Sequence, residues 1–68
     1  MRVYVITKME VFKDEIFVGV RGTRKQAEDT LKNLYPDLKN NGDGVYLAES
    51  ESGNKVILFI REEEITIE

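Results

Sequence analysis

The sequence predicts an α+β fold: a two-layer sandwich with one helix on one face of a mostly antiparallel sheet of four to five strands, ordered ββαββ. Three observations predict it. Two runs of β-branched and aromatic residues precede a single amphipathic segment, and two more follow it. That segment opens on a capping signal and closes at the chain's one proline. The connections within each pair of runs are of hairpin length, too short for a parallel crossover.

Residues 2–9 form the first run, and the turn-like Lys13-Asp14-Glu15 separates it from the second, residues 16–20, giving a hairpin. Gly22 and Thr23 break the strand pattern, and Thr23 with Gln26 makes a capping box at the start of a helix. Ala27, Leu31, Leu34 and Leu38 recur at helical spacing, with Thr30 and Tyr35 at the edge of the stripe, while Glu28, Asp29, Lys32 and Asn33 face away. Pro36 disfavours helical geometry at Tyr35, so the helix ends near residue 35 and Leu38 folds back over its end.

Asn40-Asn41-Gly42-Asp43-Gly44 reads as a loop, because glycine and asparagine tolerate the positive φ of sharp reversals. Val45–Glu49 is a short strand, residues 50–54 a turn with Gly53-Asn54 at its tip, and residues 55–61 a nearly continuous apolar strand. Glu64-Ile65-Thr66-Ile67-Glu68 alternates strictly and reads as a fifth strand, with Arg61-Glu62-Glu63 before it as a bend, bulge or turn.

Composition narrows the chemistry. With 68 residues there is room for one small domain, and 41% hydrophobic and 34% charged residues are enough to fold it. The chain has no His, Cys or Trp, which excludes a histidine base, a thiolate nucleophile, a Cys/His zinc site and any disulfide. No cofactor is expected. The longest apolar run, residues 56–60, is far shorter than the roughly 20 residues of a membrane span, and no segment resembles a signal peptide, so a cytoplasmic protein is expected.

The strands are apolar on both sides. Val3 and Val5 point away from Tyr4 and Ile6, and Val56, Leu58 and Ile60 away from Ile57 and Phe59. One helix covers one face, which leaves a patch built from Tyr4, Ile6, Ile57 and Phe59, or their opposites. Either the tail of a curled sheet fills that patch, or it is the interface of a homodimer or partner complex. Tyr4, Ile6, Ile57 and Phe59 are the expected interface anchors, with Glu62, Glu63 and Glu64 adding charge complementarity.

Other constellations point less far. Arg21, Arg24 and Lys25 surround a helix start, where free amides and the dipole favour an anion such as phosphate; flanked by Glu28 and Asp29, they also read as solvated charge. No phosphate-loop or dinucleotide glycine pattern accompanies them. Residues 37–49 mimic a calcium loop at Asn41-Gly42 but place Lys39 third and Ala48 twelfth, which breaks the ligand set. Adjacent Glu62, Glu63 and Glu64 alternate sides in a strand and do not converge on a metal. Residues 1–39 carry eight basic and six acidic side chains (+2) and residues 40–68 two basic and seven acidic (−5), a bipolar charge distribution.

Catalysis is not expected. Paired carboxylates need a cleft that this length hardly forms, and Ser50 or Ser52 would have only Lys55 nearby as a base. Tyr4, Tyr46, Phe17 and Phe59 resemble a base-stacking face, but the strands carry few cations beyond Arg2, Lys8, Arg21, Lys55 and Arg61, which disfavours nucleic acid.

The opening Arg2-Val3-Tyr4-Val5-Ile6-Thr7, the later Ile16-Phe17-Val18-Gly19-Val20 and the helix start Thr23-Arg24-Lys25-Gln26-Ala27-Glu28 together resemble short bacteriophage and prophage proteins of unknown function. The resemblance covers roughly the first half of the chain. It implies a phage accessory protein with no catalytic residue to carry over. By analogy with anti-CRISPR and anti-restriction inhibitors, it also implies binding to a host enzyme. The expectation is therefore a non-enzymatic, dimeric module that binds a bacterial protein. The alternatives are a nucleic-acid or phosphate module centred on Arg21, Arg24 and Lys25, or a purely structural, self-associating subunit.

Overall fold

Strand β1 (Arg2–Glu10) pairs antiparallel with β5 (Lys55–Glu64), from Arg2 opposite Glu64 to Glu10 opposite Val56. The computed structural model describes residues 1–10 and 13–66. Between these two strands the chain forms β2 (Ile16–Arg21), helix α1 (Arg24–Leu34), β3 (Lys39–Gly42) and β4 (Val45–Glu49). The five strands make one sheet in the order β2-β1-β5-β4-β3, with every neighbouring pair antiparallel. The α+β architecture with one helix on one face is as the sequence predicts.

The helix forms where its signals place it. Thr23 has extended geometry, and its hydroxyl accepts a hydrogen bond from the Gln26 amide at 3.1 Å, satisfying one of the free donors of the first turn. Tyr35 closes the helix with φ −134°, the extended geometry that Pro36 imposes, while its amide donates to the Leu31 carbonyl. Ala27 and Leu31 are fully buried against Ile6, Tyr46, Ala48, Val56, Leu58 and Ile60, and Tyr35 and Leu38 pack on the rim of that core. Leu34 is different. It is 55% exposed, because Ala27, Leu31 and Tyr35, four residues apart, take the line that faces the sheet and leave Leu34 on its flank.

Two strand assignments change. The fifth strand is β3, not the C-terminal tail: Gly42 pairs with Val45, so Asp43-Gly44 is a two-residue hairpin loop. Both loop residues have positive φ, 54° and 77°, as a type I′ turn requires. The expected bend at Arg61-Glu62-Glu63 is also absent. β1 offers an unbroken ladder, so β5 runs straight through the acidic run to Glu64, and beyond it the Ile65 amide donates to the Met1 carbonyl at 2.7 Å. Ile67 and Glu68, the rest of the alternating tail, lie outside the described residues.

Gly44 ties the β3–β4 hairpin to the central strand. Its carbonyl accepts from the Ile60 amide at 2.8 Å, and a Cβ there would lie 2.5 Å from the Ile60 carbonyl oxygen. Gly53 also has positive φ, but with nothing within 4 Å of a Cβ. Gly53→Ala is therefore expected to cost about 1 kcal/mol from backbone geometry alone. Gly44→Ala is expected to cost more than about 2 kcal/mol, since the collision adds to the strain. Urea unfolding of the two variants, followed by circular dichroism, measures the difference.

Candidate functional site

Side chains alternate across a strand, so the register sorts every residue of the sheet onto one of two faces. Ile6 opposes Ile60 and Gly19, and Thr7 opposes Phe59 and Phe17. The helix covers the Ile6–Ile60 face. The other face carries Val3, Val5, Thr7 and Met9 of β1, and Lys55, Ile57, Phe59, Arg61 and Glu63 of β5. Val45 and Leu47 of β4 and Phe17 and Val20 of β2 complete it. No other layer packs on this face among the described residues, and Phe17, Val20 and Leu47 are 63%, 41% and 40% exposed.

This register divides the expected anchors. Ile57 and Phe59 lie on the open face, half-buried, but Ile6 is 0% exposed in the core beneath the helix. Tyr4 packs against the same core, with the Arg24 guanidinium 5.4 Å from its ring centre. Tyr4 and Ile6 thus do not share a surface with Ile57 and Phe59. Val3 and Val5 are the residues of β1 that do. The acidic run divides likewise: Glu63 is on the open side, whereas Glu62 and Glu64 share the side of the helix, and Glu62 pairs with Arg2 at 3.1 Å. An exposed pair of this kind adds little stability.

A bulge in β2 sets the composition of the open face. The register shifts between the Ile6–Gly19 and Thr7–Phe17 pairs, so Val18 is the extra residue. Val18 turns toward the core and Phe17 is delivered to the opposite side. Above Phe59, Arg61 places its guanidinium 5.4 Å from the ring centre and pairs with Glu15 at 3.1 Å. Thr7 is buried on this face, and its hydroxyl has no hydrogen-bond partner among the described residues.

The cations at the helix start are largely occupied within the fold. Arg21 donates through Nε to Thr30 Oγ1 at 3.0 Å and through Nη1 to the Val20 carbonyl at 2.8 Å, and Thr30 in turn donates to the Gln26 carbonyl. Arg24 lies over Tyr4, while Lys25 is exposed. These contacts hold the helix start to β2 and β1 and account for two of the three positive charges without a bound anion.

On the helix side, the buried Tyr46 donates its hydroxyl hydrogen to Glu28 Oε1 at 2.9 Å. Burial pushes its pKa above the ordinary tyrosine value, and the hydrogen bond to Glu28 and that carboxylate's charge push it further, against a smaller opposing effect of Arg24. Nearby, a groove of about 670 Å³ runs between the helix start, the Asp43-Gly44 turn and β5, lined by charges of both signs. No group of three or more acidic side chains among the described residues is placed to hold a metal ion. No helix among them is long and apolar enough to cross a membrane. Comparison of the chain with protein-family models, with curated proteins and with solved structures finds no match.

Because the folded chain raises the pKa of Tyr46, the unfolded chain releases that proton first, and stability falls as pH rises above about 10. Below that value the contribution is fully present. Tyr46→Phe is expected to lose about 1 kcal/mol at neutral pH and to show a shallower decline between pH 9 and 11, as about one hydrogen bond and one titrating group are removed. Denaturant midpoints of both proteins across that range measure it.

Proposed function

We propose that this chain is a non-enzymatic protein-binding module of the phage accessory type, and that it docks on a protein through the open face of its sheet. The observation that supports this reading is the uncovered apolar face itself, four strands wide and centred on Phe59. Monomeric proteins rarely leave a contiguous apolar patch of that extent without a use. Half-buried Ile57 and Phe59 sit among the more exposed Phe17, Val20 and Leu47, with Arg61, Glu63, Lys55 and Glu49 around them. An apolar centre with a charged rim is the usual anatomy of a protein interface. Val5 and Leu47 serve as anchors beside Ile57 and Phe59, in place of Tyr4 and Ile6.

A non-catalytic role is also supported by the residue inventory, since the chain has neither His nor Cys. A bacterial protein as partner, inhibition of a host enzyme and a cytoplasmic location follow from the phage resemblance and belong to the same proposal. The phosphate-binding alternative is weakened by the internal contacts of Arg21 and Arg24.

The test is affinity capture from a nuclease-treated bacterial lysate that also contains an untagged copy of the chain. Leu47→Asp, at an exposed position, is expected to abolish near-stoichiometric retention, whereas Lys25→Glu, at the exposed cation of the helix start, leaves it unchanged. The opposite pattern would overturn the reading in favour of an anionic ligand.

A further inference from the structure

The molecule is more open than a compact protein of its mass. An ordinary compact protein of 7.9 kDa exposes roughly 4,400 Å², whereas this chain exposes 5081 Å². The excess reflects an elongated molecule, 44 × 23 × 18 Å, whose sheet is covered on one face only among the described residues. The radius of gyration, 12.4 Å, likewise exceeds the roughly 10.9 Å expected for this length.

We infer that the occupant of this face is a second copy of the chain, packed face to face about a two-fold axis that runs across the strands at the level of Phe59. The inference rests on the reading of the open face as a protein interface, and the charge pattern of β5 supplies the choice of occupant. β5 is the middle strand of the five, so a two-fold axis through the centre of the sheet passes over it. Its outward row is Lys55, Ile57, Phe59, Arg61 and Glu63, with Phe59 at the midpoint and opposite charges at the ends.

Two orientations of a face-to-face pair are available. An axis along β5 sets Glu63 against the partner's Glu63 and Lys55 against the partner's Lys55. An axis across the strands sets Glu63 against the partner's Lys55, twice, and Phe59 against the partner's Phe59. Only the second arrangement pairs opposite charges, with Arg61 lying against the partner's Ile57, and isologous contacts of this kind close the assembly at two copies. Aligned sheets pack about 10 Å apart, within the reach of the facing aromatic side chains. Arg61 enters the interface already paired with Glu15, so its burial does not strand a charge.

Light scattering and sedimentation equilibrium over ~1 to 200 μM are expected to show twice the 7.9 kDa chain mass. Glu63→Lys and Lys55→Glu, both at exposed positions, are each expected to weaken the dimer about tenfold in low salt. Combined in one chain they recreate opposite charges at both ends, and dimerisation is expected to return to within about threefold of the parent. Circular dichroism verifies that the variants remain folded. A dimer indifferent to the single changes, or not restored by the double change, overturns the proposed arrangement. A monomer at every concentration overturns the second copy as occupant. In that case Leu47→Asp still releasing a foreign protein leaves the docking reading intact, and retention of nothing ends both.

Discussion

Nine residue pairs join β1 to β5, and their register decides which side chains of the two strands meet the helix and which meet solvent. A slip of β5 by one residue would turn Leu58 and Ile60 to solvent and place Phe59 beneath the helix beside Ile6. The pairing links distant parts of the chain, so its loop-closure entropy must be offset by what it buries. Full burial of Ile6, Val56 and Leu58 against Leu31 provides that, at roughly 1.5–3 kcal/mol for each large side chain. β2 then extends the sheet from the free edge of β1, and β4 with β3 from the free edge of β5.

The helix depends on that ladder more than on its own sequence. Its first turn contains no acidic residue, and Arg24 and Lys25 there oppose the helix dipole at a cost of some tenths of a kcal/mol each. Thr23 offsets part of this by capping, and Arg21 and Arg24 gain contacts with Thr30 and Tyr4 that exist only when the helix lies across β1 and β2. Charge that is unfavourable for an isolated helix thereby becomes a means of fixing its position on the sheet.

Among the described residues, a single helix on five strands leaves a sheet with one dry face and one open face. The edges are better protected than the face. β3 is short and polar, and β2 is bent by its bulge, both of which discourage strand addition by another chain. The apolar surface is therefore less protected than the edges. The Arg61–Glu15 pair drawn across Phe59 gives that surface partial cover and a charged pattern with a direction.

The sequence by itself determined the elements whose causes are local. Runs of β-branched and aromatic residues marked β1, β2, β4 and β5, a threonine cap and Pro36 bounded the helix, and the spacing of Ala27 and Leu31 identified its buried line. The β3 hairpin left a local signal in Asp43-Gly44, whose residues suit a type I′ turn, but the segment reads as a loop because Lys39, Asn40 and Asn41, exposed on an edge, show no apolar alternation. Only the tertiary structure decided the strand order, the continuation of β5 through its glutamates and the division of Tyr4 and Ile6 from Ile57 and Phe59. The physical reason is that a period of two sorts the residues of one strand into two sets, but which sets of two strands share a face depends on a register set by contacts some fifty residues apart in sequence.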